Sequence, residues 1–223
     1  MITNLIVPVL NRYDLLQRML NSIDYPIEHL LILDNGASHV EEDIGLNVPP
    51  TVDKTTYLPL PSNLGVSGSW NLGIKLFPFA DRFFFASNDM WFEPGALETL
   101  DINAKPDELT LVSEFPNWQT FVVGEDVVNR VGLFDEALYP AYFEDKDYER
   151  RCLHENVRIN LVAATVGHDN SSTIKSDSRF RFRNSTTFKN NRQYYDLKQR
   201  VDDYSQGHWN LVTRRQNDWT DGL

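Results

Sequence analysis

Short unbroken apolar runs alternate with amphipathic stretches along this chain. The clearest run is Phe83-Phe84-Phe85-Ala86, which passes straight into Ser87-Asn88-Asp89 and then Met90-Trp91-Phe92-Glu93. A short apolar run bounded by turn residues reads as a strand buried on both faces, of the kind found in the middle of parallel α/β sheets. Residues 4–10 read as a first strand. Asp14 then opens a helix, with Gln17 three residues on completing a capping-box-like pair. Leu15, Leu16, Met19, Leu20 and Ile23 fall on one face of that helix. Residues 29–33 are a second apolar strand, ending in Asp34-Asn35-Gly36. Strand, helix, strand in so short a span is a βαβ unit, which makes the two strands parallel neighbours.

Further along, residues 39–56 read as an irregular connection broken by Pro49-Pro50, and 57–60 as a short strand or edge piece. Residues 61–75 divide into a glycine-rich loop and a helix on which Trp70 and Ile74 lie one turn apart. Residues 109–112 and 119–123 are strand candidates, and 126–131 a short helix closed by Gly132. A helix is expected over 145–154. The alternation Val157, Ile159, Leu161, Ala163 predicts one half-buried strand running to Gly167-His168-Asp169. After a polar loop at 171–178, Arg179-Phe180-Arg181-Phe182-Arg183 alternates charge and ring as a solvated edge strand does, and a last helix covers 187–201. Trp209 and Trp219 are docking points in the polar tail. The expected fold is α/β, a mostly parallel central sheet flanked by helices. The main domain is expected over residues 1–170, with a C-terminal loop and helical extension packed on it over 171–223.

Composition narrows this picture. The chain has 223 residues, 41% of them hydrophobic, which is enough for one domain with a real core. Acidic residues outnumber basic ones 32 to 21, a net charge of -11, which argues against a general nucleic-acid or anionic-membrane surface. Cys152 is the single cysteine, so there is no internal disulfide and no cysteine-built metal site. Leu5 to Leu10 is apolar but short, with no basic stretch before it, and no window approaches membrane-spanning length. Cytoplasm is therefore the expected location, and the sequons at Asn170 and Asn184 are read as chance.

The candidate chemistry lies in carboxylates at element ends: Asp34, Asp89, Glu144, Asp145 and Asp147. Ligands bind at the carboxyl ends of strands in open α/β sheets, and Ser87-Asn88-Asp89 stands at such an end. A capping role for Asn88 or Asp89 before Pro94 is the plainer alternative. His168 reads either as a core histidine with one hydrogen bond or as a metal ligand beside Asp89; the latter suits Mn²⁺ or Mg²⁺ better than zinc. The glycines at 65–73 match neither the dinucleotide fingerprint nor the P-loop. There is no Gly-x-Ser-x-Gly elbow, and His154-Glu155 lacks the second histidine of a zinc-protease helix.

Five blocks, in order, give the chain a likeness to a known family. They are Val7-Pro8-Val9-Leu10-Asn11-Arg12, Leu31-Ile32-Leu33-Asp34-Asn35-Gly36, Asn63-Leu64-Gly65 through Trp70-Asn71-Leu72-Gly73, Ser87-Asn88-Asp89, and Gly132-Leu133-Phe134-Asp135-Glu136 followed by Tyr142-Phe143-Glu144-Asp145-Lys146-Asp147 and Arg151. In these blocks, over residues 4–170, the chain resembles family 2 glycosyltransferases of the GT-A fold. The resemblance implies transfer of a sugar from a UDP-, dTDP- or GDP-sugar to an acceptor hydroxyl, such as that of a glycan, with inversion at the anomeric carbon. It implies that Pro8, Asn11 and Asp34 hold the nucleobase and that Asn63 and Asn71 lie around the nucleoside. Arg12, Ser87 and Asn88 complete the donor side. Asp89 and His168 are implied ligands of Mn²⁺ or Mg²⁺, Asp145 the general base, and Glu144 the group that orients the acceptor.

One position departs from the family. Ser87 stands where the first Asp of the Asp-x-Asp pattern is expected, which removes one carboxylate from the nucleotide site. It leaves open whether the metal is strictly required, and makes Arg179, Arg181 and Arg183 candidates for the diphosphate. Trp118, in the 113–121 loop, is a candidate sugar-stacking platform. Two other readings remain: a binding module of the same fold without turnover, and a sugar nucleotidyltransferase. The glycine-free loop after the first strand counts against the second. A nucleic-acid acceptor is disfavoured by the net charge of -11. Oligomeric state is left open.

Overall fold

The computed structural model describes residues 1–36, 45–169 and 178–206, the side chains of 178–184 excepted. In chain order the elements are β1 Leu5–Val9, α1 Tyr13–Asn21, β2 Ile27–Asp34, β3 Val52–Pro59, α2 Gly65–Leu76, β4 Arg82–Ala86, β5 Met90–Phe92 and α3 Ala96–Asn103. There follow β6 Glu108–Val112, β7 Thr120–Gly124, α4 Glu125–Val131, α5 Glu144–His154, β8 Arg158–Val162, β9 Val166–His168 and α6 Ser178–Arg200. Seven strands form one sheet in the order β3-β2-β1-β4-β7-β6-β8, and β5 and β9 form a separate pair. Only β7 runs against its neighbours in the large sheet.

Alternation along the buried strands feeds two cores. Leu5, Val7 and Val9 of β1, with Phe84 of β4, face α1 and α3. Ile6, Phe83 and Phe85 face α2, α4 and α5. With both faces covered, each strand reads as an unbroken apolar run. Gly73 lets α2 come close: a Cβ there would lie 2.6 Å from Ile6 Cγ2. Cys152 is fully buried on α5 in the second core.

The sequence expectations for β1, α1, β2, β4, β6, β7, α4 and α5 agree with these elements, and the first two strands are parallel neighbours. Five details differ. Asp14 and Gln17 form no capping box: Asp14 holds Arg12 at 2.7 Å, while the Gln17 amide donates to Asn21 Oδ1 and the Asn47 carbonyl. Residues 52–56 belong to β3, an edge strand that pairs with β2 throughout its length. The helix expected in the second half of 61–75 begins at Gly65. The single strand expected at 157–169 is divided: Leu161 is exposed and Val162 buried, and β9 leaves the sheet to pair with β5. The Arg179–Arg183 alternation is helical, because α6 starts at Ser178. The loop at 171–177 and the tail with Trp209 and Trp219 lie outside the described residues. No described helix is long and apolar enough to cross a membrane.

Candidate active site

The sheet topology dictates where chemistry gathers. β1 pairs with β2 as far as Val9↔Asp34, but with β4 only as far as Ile6↔Phe85. A crevice therefore opens between the carboxyl ends of β1 and β4, at the point where the strand order reverses, the preferred ligand position of such sheets. Pro8 lies beyond the β1–β4 ladder, so its missing N–H weakens no pairing there. α1, α2 and α5 all begin at this edge. α5, for example, feeds β8, which is parallel to β6, so its first turn stands at the carboxyl end.

On the β4 side of the crevice, Asn88 donates to the Asn11 carbonyl at 3.1 Å, and the Ser87 N–H donates to the Gln119 carbonyl at 2.8 Å. Asp89 follows, and its Oδ1 lies 2.9 Å from His168 Nε2. The pairing Met90↔His168 of β5 with β9 brings the two together. Among the described residues there is no cluster of three or more His, Cys, Asp and Glu side chains. One carboxylate and one imidazole nevertheless fit a hard divalent ion that takes its remaining ligands from substrate phosphates and water. Arg12, at φ 60 in the left-handed region, is braced by Asp14. Its guanidinium is held above its ordinary pKa first by that hydrogen bond, with Asp169 and Asp89 adding further attraction. Arg18, which the sequence reading did not single out, donates to Asp169 at 2.6 Å and to the Asp89 carbonyl at 3.3 Å while lying over Trp91. Its sequence signal is only a cation on the polar face of α1.

On the β2 side, Asp34 is fully buried. Its oxygens accept from the Tyr13 hydroxyl at 3.0 Å, the Tyr57 hydroxyl and the Gly36 N–H at 2.8 Å. Burial first, then Asp34, pushes both tyrosines above their usual pKa. Asn35 ties β2 to α2, accepting from the Leu64 N–H at 2.8 Å and donating to Ser69 Oγ at 2.9 Å. Asn63 accepts from the Gly65 N–H, and its carbonyl accepts from Tyr139. Asn71 is fully buried, donating to the Phe134 carbonyl and Glu136 Oε1 and accepting from the Phe134 N–H, so it fastens α2 to the 132–136 loop.

The acidic pair opens α5. The Val66 N–H donates to the Pro140 carbonyl at 2.7 Å, which joins this loop to α2. Tyr142 and Phe143 then take φ 82 and 73 before Glu144 and Asp145. Glu144 is buried, and its Oε2 has no hydrogen-bond partner among the described residues. Burial, then the neighbouring Asp145 charge, pushes its carboxyl up to about 8. Asp145 is partly buried and accepts from the Lys146 N–H at 2.8 Å. Its pKa is raised by burial against the pull of that N–H. Asp147 does not face the crevice. It is fully buried between Arg151 at 2.9 Å and Lys198 at 2.9 Å.

Trp118 does not stand free as a sugar platform. It packs against Phe121 and Trp70, and its indole N–H donates to Glu149 at 2.6 Å. The exposed ring of that loop is Phe115, 93% accessible. The side chains of Arg179, Arg181 and Arg183 lie outside the described set.

No protein-family model matches the chain, and no curated protein sequence matches it. Solved structures do. S. aureus TarS superposes with a TM-score of 0.54 at 16% identity, over 74% of this chain and 36% of TarS. GalNAc-T7, solved with UDP, GalNAc and Mn²⁺, gives 0.59 at 10% identity, over 75% of this chain and 43% of that one. The catalytic domain of Drosophila beta-1,4-galactosyltransferase 7, solved with xylobiose, gives 0.51 at 13% identity, over 79% and 74%. The chain has the GT-A fold. It spans 36 to 61% of the length of these TarS chains. The GT-A expectation is thus met by the sheet order and the helices on both faces.

Proposed function

We propose that the chain is an inverting, divalent-metal-assisted glycosyltransferase of the family 2 kind, moving a sugar from a nucleotide diphosphate to an acceptor hydroxyl. The observation that carries this reading is the Asp89–His168 pair at the β1/β4 switch point of a GT-A fold. Neighbours of that fold have been solved with UDP and Mn²⁺ and with manganese, UDP-Gal and xylobiose, which favours UDP and Mn²⁺ as the first donor and ion to try. Residues 1–170 form the catalytic domain in this proposal, with 171–223 an extension on it.

Each group has a task. Pro8, Asn11 and Asp34 line the nucleobase end, with Tyr13 and Tyr57 already on the Asp34 oxygens. Asn63, Ser87 and Asn88 flank the rest of the donor. Asp89 and His168 would hold the ion, which would supply positive charge toward the diphosphate leaving group. Arg12 and Arg18 stand behind the same point and supply positive charge that Ser87 does not disturb. Asp145 takes the proton of the attacking hydroxyl, and its burial-raised pKa makes it a better base near neutrality. Glu144, protonated below about pH 8, donates a hydrogen bond that orients the acceptor.

A thermal-shift and calorimetry screen of UDP-, dTDP- and GDP-sugars, each with Mn²⁺, Mg²⁺ or chelator, tests this. One nucleotide is expected to raise the melting temperature, and only with metal, by mass action on the folded state. Stabilisation that survives chelator moves the diphosphate contacts to arginines. No response to any nucleotide overturns the proposal.

A further inference from the structure

Tyr142 and Phe143 are consecutive bulky residues at φ 82 and 73. L-residues with ring side chains avoid this region, and such a turn persists only where its surroundings over-determine it. The turn matters because it fixes the direction in which Glu144 and Asp145 leave it. Its surroundings are one face of α6. Asn191, 5% exposed, donates to the carbonyls of Ala141 at 2.8 Å and Tyr142 at 3.3 Å. The Phe188 ring meets those of Tyr142 and Phe143 at 5.3 and 5.1 Å, and Tyr195 stacks on Phe143 at 5.5 Å. Lower on the same face, Lys198 is 2% exposed and reaches Asp135 at 2.6 Å, Asp147 at 2.9 Å and the Ser205 carbonyl at 2.6 Å. Tyr194 also donates to Asp135, at 3.0 Å. Positions 188, 191, 195 and 198 recur at helical spacing, so one stripe of α6 grips both the turn and the first turn of α5.

We propose that α6 is a clamp on the 141–143 turn and that Asn191 is a positioning residue for Glu144 and Asp145. Asn191 acts through two main-chain carbonyls. The inference rests on the reading of Glu144 and Asp145 as the acceptor-side pair. Its structural half, the clamp, stands apart from any activity.

Two variants of the full chain test it: Asn191→Ala, and Asn191→Asp, which keeps the size but loses the donor. Amide hydrogen exchange is the first readout. The Asp147 N–H, which donates to the Phe143 carbonyl at 2.9 Å, is expected to lose at least about tenfold of its protection in both variants. Amides of β1 and β4 are expected to stay as in wild type. UDP release from UDP-GlcNAc and UDP-Gal with Mn²⁺ is the second readout, with kcat falling about tenfold or more and UDP affinity unchanged. Wild-type protection at residue 147 in both variants overturns the clamp. Loss in Asn191→Ala alone assigns packing and overturns the role of the amide. A parallel fall in UDP affinity and kcat overturns positioning in favour of general support. If wild type releases no UDP, the functional reading has failed, and hydrogen exchange still decides the clamp.

Discussion

Asp34 and Glu144 are two buried carboxylates at one edge of one sheet, and they differ in almost everything but burial. Asp34 meets two tyrosine hydroxyls and a backbone N–H. Glu144 has an oxygen without a hydrogen-bond partner among the described residues, and its carboxyl is pushed up to about 8. Donors around a buried acid satisfy its oxygens, whereas a buried acid that lacks them holds its proton to higher pH. The β1, β2 and β4 side of the crevice is therefore built before any ligand arrives: Asp34 is roofed, Asp89 sits against His168, and Asn88 bridges to Asn11. The α5 side is left electrostatically unfinished, and in the proposed function an incoming hydroxyl completes it.

The largest expected effect lies at the unfinished end. Asp145→Asn should slow transfer by about 10³-fold, in the range of lost general-base catalysis, while calorimetry shows unchanged affinity for UDP with Mn²⁺. Near-normal turnover would remove Asp145 from its role. Next is Glu144→Gln. Native Glu144 keeps its proton to about pH 8 against an ordinary 4.5, so the folded chain binds more protons across that window and stability falls as pH rises through it. The amide removes this slope. Denaturant melts should show the variant more stable at pH 8.5, on the order of 3 kcal/mol, and level with wild type at pH 4. A variant no more stable than wild type at pH 8.5 would mean that Glu144 has donors after all. At the finished end, Asp89→Ala should weaken Mn²⁺-dependent UDP binding by about tenfold or more, with little change in the melting temperature of the ligand-free chain in chelator. A large fall in that melting temperature would make Asp89 a structural group. The smallest effect belongs to Tyr57→Phe, which takes one of three donors from Asp34 and should cost about 1.5 kcal/mol in thermal melts. A cost well above that would show the roof over Asp34 to be as thin as that over Glu144.

The fold was legible where packing writes a pattern. β1, β2 and β4 are covered on both faces and read as apolar runs, and α1 shows its buried stripe plainly. β3 was cut short because it is an edge strand carrying Asp53, Lys54, Thr55 and Thr56, so backbone pairing with β2 defines it and side-chain burial does not. α2 was started late because Gly65 and Gly68 have poor helix propensity, which tertiary contacts override. α6 begins earlier than expected because Arg and Phe alternate over 179–183 with the period of a strand, while 187–201 carries the helical pattern. At the site, the residue types and their order came from resemblance, and the structure brings Asn11, Asn88, Asp89 and His168 together. Tyr13, Tyr57 and Arg18 were invisible because their partners are distant in sequence. The hold of Asn71 on the 132–136 loop was invisible for the same reason.

Cys152 gives the molecule a built-in clock. It is the only cysteine, it is buried on the helix that carries the acidic pair, and burial pushes its thiol up to about 12. Thiol reagents attack the thiolate, so a maleimide finds nothing to modify while α5 stays seated. Each labelled molecule records one excursion of that helix away from the core, and the alkylation rate of the unaltered chain counts those excursions without a probe having to be engineered in.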